Sequence, residues 1–256
     1  MEDKTLLGEI TTQIERGIAT ITFSHPAHNS LPGRLLAELK TAIETAGQND
    51  EVRVIILRSG GDRTFCAGAS FDELMAIQDE TTGKTFFLGF ANVINAIRKC
   101  PKFVLGRVQG KAIGGGVGLA SATDYCVATK FAAVKLSELA IGIGPFVVGP
   151  AVARKVGQSA FQQLAINATA LQSAEWACEK GLYATVFDDA AAMDEHLEEL
   201  AQKLAKSSPE AMRELKRISW EGTENWDELL DTRAAISGEL VLSDFTRNAI
   251  AAFKNK

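Results

Sequence analysis

The sequence predicts an α/β fold, because strand-like and helix-like segments alternate up to about residue 190. The strand-like segments are short apolar runs near 52–58, 103–108 and 124–128. The helical stretches between them lie at 71–78, 83–99 and 115–122. Alternation of this kind favours right-handed β–α–β crossovers in a parallel sheet.

The first elements of the chain are predicted to be a hairpin and a helix. Glu9 to Phe23 contain alternating apolar positions on both sides of an Arg16-Gly17 turn, which is typical of two paired strands. Pro32 to Thr45 follow with the spacing of an amphipathic helix.

The chain ends in a region where only helices are predicted, at 190–205, 209–219, 226–241 and 244–253. Pro209, directly after two serines, is a helix-start signal. The change of pattern divides the chain into a core, residues 1–190, and a C-terminal helical region, residues 191–256.

The composition is that of an ordinary globular protein and agrees with an intracellular enzyme. The 256 residues are 46% hydrophobic, enough for one domain with a well-buried core. The net charge of -5 argues against a general nucleic-acid binder. A membrane-spanning helix needs about 18 uncharged residues, and every apolar stretch of this sequence is much shorter. The acidic start of the sequence does not resemble a signal peptide. The four cysteines and three histidines have no metal-ligand spacing. We therefore expect a cytoplasmic protein with reduced thiols, no bound metal and no membrane partner.

A glycine-rich turn is the first candidate functional feature. Ile113 to Leu119 contain three consecutive glycines and follow the apolar run Phe103 to Val108. A turn of this kind between a strand and a helix exposes backbone N–H groups to a ligand. It can therefore build an oxyanion hole.

A second loop of small residues ends the preceding strand-like segment. Thr64 to Ala69 follow the run Val52 to Leu57, and Ser70 is placed to cap the helix that starts at Phe71. The spacing between the two loops allows a helix and a return strand. Both loops are thus expected at one edge of a parallel sheet.

Further motifs accompany these two loops: His28-Asn29-Ser30-Leu31, Ala122-Thr123-Asp124, Leu136-Ser137-Glu138 and Ser173-Ala174-Glu175. Together they resemble the crotonase superfamily, the enoyl-CoA hydratases and isomerases, over nearly the whole chain. The resemblance implies a crotonase spiral of ββα units, with C-terminal helices that form a homotrimer or a hexamer. It also implies an acyl-CoA substrate, with coenzyme A as part of the substrate and no separate cofactor.

The resemblance assigns roles to individual residues. The backbone N–H groups of Ala69 and Gly115 would hold the thioester oxygen, and Glu138 would transfer the proton. The residues implied in substrate binding are Ala27, Asn29, Ala67, Gly68, Gly114, Gly118 and Lys256.

Gly118 is a departure from the family, because hydratases with two glutamates carry the other glutamate at this position. A single glutamate suits movement of a double bond between the 2 and 3 positions, so hydratase and isomerase both remain open. Either Asp72 or Glu73 could also supply an acid. Two motifs also resemble those of a bacterial branch that hydrates branched acyl-CoAs such as 3-methylglutaconyl-CoA. They are the Gly-Gly-Gly-Val-Gly-Leu sequence and the turn Gly144-Pro145-Phe146-Val147. An acyl-CoA decarboxylase and an inactive acyl-CoA-binding protein are the alternatives.

Overall fold

The computed structural model describes residues 7–254. The strands in chain order are β1 Glu9–Glu15, β2 Ile18–Ser24, β3 Val54–Ser59, β4 Thr64–Cys66, β5 Val104–Val108, β6 Lys111–Ile113, β7 Tyr125–Thr129, β8 Val134–Lys135 and β9 Thr185–Phe187.

The α-helices of this part of the chain are α1 Gly33–Gln48, α2 Phe71–Met75, α3 Glu80–Lys99, α4 Gly115–Ala122, α5 Gly149–Ile166, α6 Ala174–Glu179, α7 Ala190–Ala205, α8 Pro209–Ser219, α9 Trp226–Leu240 and α10 Asp244–Lys254. A short 3-10 turn, Glu138–Ile141, follows β8.

Two sheets organise the molecule. The larger has the order β1-β2-β3-β5-β7-β9, and the smaller has the order β4-β6-β8. β1 and β2 form the predicted antiparallel hairpin, and the remaining pairs are parallel. Each of β3, β5 and β7 is followed by a short strand of the smaller sheet before a helical segment. This repeat confirms the predicted α/β fold and its spiral of ββα units.

The helices of the C-terminal region pack on the same chain. Met193, Leu197 and Ala201 of α7 cover the outer face of the larger sheet, against Ile18 and other strand residues. α9 lies along α3, and the two helices approach closely where Gly83 faces Gly238. The predicted helices are thus confirmed, and they complete the core of their own chain. The predicted trimerisation stays a prediction.

Candidate active site

A cavity that opens to solvent lies where the loops after the short strands meet the helices. The predicted loop residues Ala67, Gly68, Ala69, Gly114 and Gly115 line it, and Glu138 lines the same cavity. The three segments come together because β4, β6 and β8 are neighbours in the smaller sheet, so the residues after each strand share one edge.

Glu138 begins the 3-10 turn directly after β8. Its Oε2 atom is buried and has no hydrogen-bond partner among the described residues. Burial raises the pKa of the carboxyl group to about 7, although a hydrogen bond with its own backbone opposes the shift. A carboxyl group with this pKa can both take and return a proton near neutral pH.

The glycine turn leaves room for this carboxylate. A Cβ atom on Gly114 would lie 3.1 Å from Oε1 of Glu138, and Gly114 has a φ of 53°. A side chain at this position would therefore be strained and would crowd the carboxylate. The Gly114 N–H donates to the Lys135 carbonyl at 2.8 Å, which ties the turn to β8 just ahead of Glu138.

Ala69 is held so that its N–H stays available. The neighbouring bonds run from Leu31 N–H to the Gly68 carbonyl (2.8 Å) and from Ser70 N–H to the Leu31 carbonyl (3.3 Å). This parallel bridge uses the groups on either side of the Ala69 N–H. Within the part of the chain that the structure describes, the Ala69 N–H has no acceptor.

Gly115 offers a second N–H at the start of α4. The first N–H groups of a helix lack partners within the helix, and the Gly115 N–H has no acceptor among residues 7–254. The two loops adjoin, because a Cβ atom on Gly68 would lie 3.6 Å from the Gly115 nitrogen. A Cβ atom on Gly115 itself would collide with the Phe90 ring.

Most of the remaining cavity lining is apolar. It comes from α2, α3 and the segment before α5, and includes Phe71, Leu74, Phe86, Phe87, Phe90 and Phe146. Sequence reasoning did not find these residues. Their apolar positions at helical spacing look the same whether a side chain packs in a core or lines a cavity.

Gly118 lies on α4 but not on the cavity wall. It is buried, and a Cβ atom there would lie 2.5 Å from Cγ1 of Val148. Val148 lines the cavity and covers Gly118. As a substrate contact, Gly118 stays a prediction.

The two other acids considered from the sequence are placed away from the cavity. Oε2 of Glu73 accepts a hydrogen bond of 2.7 Å from the Gly33 N–H, at the start of α1. Asp72 is exposed. Ser70 caps α2 as predicted, because its hydroxyl accepts from the Glu73 N–H.

Two further predicted substrate contacts, Ala27 and Asn29, are not on the cavity wall. Ala27 is exposed in the loop after β2. The Asn29 side chain is buried and donates to the Gly60 and Thr64 carbonyls, both at 2.8 Å. Asn29 therefore joins this loop to the loop before β4. Lys256 lies outside the described residues. The proposed roles of all three stay predictions.

Cys66 lies beneath the same loops. Its thiol is buried, and burial raises its pKa to about 12. A nucleophilic role would need a thiolate, which this environment disfavours.

The described residues contain no group of three His, Cys, Asp or Glu side chains that could hold a metal ion. Within the same residues, no helix is both long and apolar enough to span a bilayer.

The fold and the cavity define a class of protein: a crotonase-fold protein that has, at one site, a carboxyl group and two N–H groups with no acceptor among the described residues. The enoyl-CoA hydratase/isomerase family profile matches residues 13–256, and the chain belongs to this family.

Relatives of both reaction types are similar over the whole length. The short-chain-enoyl-CoA hydratase of Clostridium acetobutylicum is 27% identical over 253 residues, 98% of this chain and 96% of that protein. The peroxisomal Delta(3,5)-Delta(2,4)-dienoyl-CoA isomerase of Arabidopsis thaliana is 27% identical over 269 residues, 98% of this chain and 95% of that protein. The crystal structure of an enoyl-CoA hydratase from Bacillus halodurans shares the fold, with a TM-score of 0.87 at 20% identity, over 95% of this chain and 99% of that one.

Proposed function

We propose that the protein moves the double bond of an unsaturated acyl-CoA thioester, with Glu138 as its single proton carrier. The observation that carries this proposal is the buried, unpartnered Oε2 of Glu138, whose pKa burial raises to about 7. A general base works best when its pKa lies near the working pH.

The reaction requires one group that takes a proton and gives it back. The Glu138 carboxylate removes a proton from carbon 2 of a 3-enoyl thioester, and the C–H electron pair moves into the conjugated dienolate. The protonated Glu138 then returns a proton to carbon 4, which leaves a double bond between carbons 2 and 3 and regenerates the carboxylate. No atom is gained or lost in the sum.

The charge that develops on the thioester oxygen needs donors in place. The N–H groups of Ala69 and Gly115 have no protein acceptor among the described residues, and their loops adjoin at Gly68. We propose that they hold this oxygen. Removing one such donor typically costs about 2.7–4 kcal/mol of transition-state stabilisation.

Hydration is the second candidate, favoured by the similarity to the Clostridium hydratase. Addition of water needs a group that holds and activates the water. Position 118 has no carboxylate, and Val148 fills the space into which a side chain there would project. This packing supports isomerisation over hydration.

The apolar lining also supports an uncharged acyl group. Phenylalanines of α2 and α3 face the cavity together with Glu138. A second carboxylate on the substrate, as in a 3-methylglutaconyl thioester, would lose hydration against these rings. We therefore rank linear or branched hydrocarbon acyl groups above dicarboxylic ones.

We also propose that the active protein is a cytoplasmic homotrimer or hexamer. Leu215 and Ile218 of α8 are 58% and 53% exposed in the single chain, so α8 presents apolar surface to a neighbour. Size-exclusion chromatography with light scattering gives the mass of the assembly directly.

The test is conversion of 3-enoyl-CoA to the conjugated 2-enoyl-CoA, followed by ultraviolet absorbance. Glu138→Gln should lower turnover by about 10²–10⁴-fold, the range for loss of a general acid–base group. Glu73→Gln is the matched control, because it is the same glutamate-to-glutamine substitution at a residue that does not line the cavity. Near-wild-type turnover by Glu138→Gln would refute the proposal, and binding without turnover of any thioester would favour the inactive binding protein. In a separate incubation with a β-carboxyacyl-CoA, release of carbon dioxide would favour a decarboxylase.

A further inference from the structure

The C-terminal helix α10 packs directly against the turn that carries Glu138. Gly142 ends this turn with a φ of 83°. A Cβ atom on Gly142 would lie 2.5 Å from both Cδ1 of Phe245 and Oγ1 of Thr246. The first turn of α10 therefore rests on the backbone at Gly142, in a contact that only glycine permits.

Thr246 is the polar residue at the centre of this contact. It is fully buried, whereas Phe245 beside it is 66% exposed. Its hydroxyl accepts a hydrogen bond of 3.1 Å from Ser243, and its N–H donates to the Ser243 hydroxyl at 3.3 Å. The side chain is thus fixed in one orientation against Gly142.

Two backbone hydrogen bonds to the Glu138 carbonyl, from the N–H groups of Gly142 and Ile143, connect this contact to Glu138. The Gly142 N–H donates to the carbonyls of Glu138 and Leu139, and the Ile143 N–H donates to the Glu138 carbonyl at 3.0 Å. A movement of Gly142 would therefore move the Glu138 backbone.

Apolar packing anchors α10 at a second place. Ile250 packs in a small cluster with Ile143, Val241 and Leu74, all of them buried. Ile143 and Leu74 also line the cavity. Thr246 therefore packs against Gly142, and Ile250 packs in the cluster that contains the next residue, Ile143.

We propose that Thr246 is a positioning residue, which keeps the Glu138 carboxyl group oriented toward the cavity by fixing Gly142. The inference rests on the proposed function of Glu138. It adds a residue of the C-terminal region, more than one hundred positions away in the chain, to the determinants of proton transfer.

The test compares Thr246→Ala with wild type in kcat, KM and pH dependence. Loss of the contact should lower kcat by about tenfold or more, since small displacements of reacting groups are costly, with KM little changed. Water that reaches the loosened turn should also lower the pKa of Glu138, because hydration favours the carboxylate. The acid limb of the pH–rate profile should therefore move to lower pH by about one unit. The elements packed around the turn carry charged residues on α2 (Asp72 and Glu73), on α5 (Arg154 and Lys155) and on α10 (Asp244 and Arg247), and none of these six lines the cavity.

Two further variants make the result decisive. Asn248→Ala changes an exposed position of the same helix and should leave kcat and the acid limb unchanged. Gly142→Ala places a methyl group against Thr246 and should repeat the Thr246→Ala profile through the backbone. Folded Thr246→Ala protein with wild-type kcat and acid limb would overturn the inference. Such a result, together with an inactive Glu138→Gln variant, would refute the role of Thr246 alone. An active Glu138→Gln variant would instead refute the proposed function itself.

Discussion

Two glycines of the short helix α4, Gly115 and Gly118, use the same residue type in opposite ways. At its start, Gly115 opens onto the cavity, with a free N–H and the Glu138 carboxyl group nearby. One turn later, Gly118 is sealed beneath Val148. The first glycine provides access for a ligand, and the second provides close packing. A glycine-rich motif therefore does not reveal which of its members face a substrate.

The largest effect is expected at Gly115, the glycine that opens onto the cavity. Gly115→Ala places a methyl group into the Phe90 ring, which must displace either the ring or the N–H donor. Loss of one such donor lowers kcat by about 10²–10³-fold. Steady-state kinetics on 3-enoyl-CoA measures this, with thermal unfolding to establish that the variant is folded. Wild-type kcat in Gly115→Ala would remove Gly115 from the proposed oxyanion hole.

The pH dependence of the reaction tests Glu138, which lines the same cavity as Gly115, without a mutation. Burial raises the pKa of Glu138 to about 7, and the proposed step begins with its carboxylate. Turnover should therefore fall about tenfold for each unit of pH below that pKa. The acid limb of kcat/KM between pH 5 and 8 reports it. A limb near the ordinary glutamate value of 4.5 would contradict the buried base.

The buried carboxyl group should also lower stability at high pH. Its folded-state pKa lies above the ordinary value of 4.5, so the folded protein binds the proton more tightly than the unfolded chain. The free energy of unfolding therefore falls as the pH rises from 4.5 to about 7. Glu138→Gln should be more stable than wild type at pH 8, by up to about 3 kcal/mol, with a smaller difference near pH 4. Urea unfolding at both pH values measures it, and an equal difference at both would contradict the shift.

Substitution at the packed Gly118 should change stability instead of turnover. Gly118→Ala forces a methyl group against Val148, and overpacking of this kind costs about 1–3 kcal/mol. The better helix propensity of alanine offsets up to about 1 kcal/mol. We expect a lower unfolding midpoint, kcat close to wild type in the folded variant, and partial recovery of stability on adding Val148→Ala. A large loss of kcat at an unchanged midpoint would instead give Gly118 a substrate contact.

The sequence was sufficient for the fold and for part of the site. Strand-end loops in a parallel arrangement must meet at one edge, so the loops that carry Ala69 and Gly115 could be placed together. Glu138, and the roles of all three residues, came only from the resemblance to the crotonase superfamily. The phenylalanines of α3 could not be assigned, because their spacing equally suits a core. Val148 and Thr246 were missed for a different reason. Each acts through a contact with a glycine distant in the chain, and no local pattern records such a contact.

The central claim is that one carboxyl group carries the proton and that water is not added. The most direct test incubates the wild-type protein separately with 2-enoyl-CoA and 3-enoyl-CoA, separates the products by chromatography, and measures the mass and the ultraviolet absorbance of each. We predict that 3-enoyl-CoA gives a product of unchanged mass with a relocated double bond, and that Glu138→Gln gives none. A product from 2-enoyl-CoA that has gained one water would contradict this account and show that the protein activates water without a carboxylate at position 118.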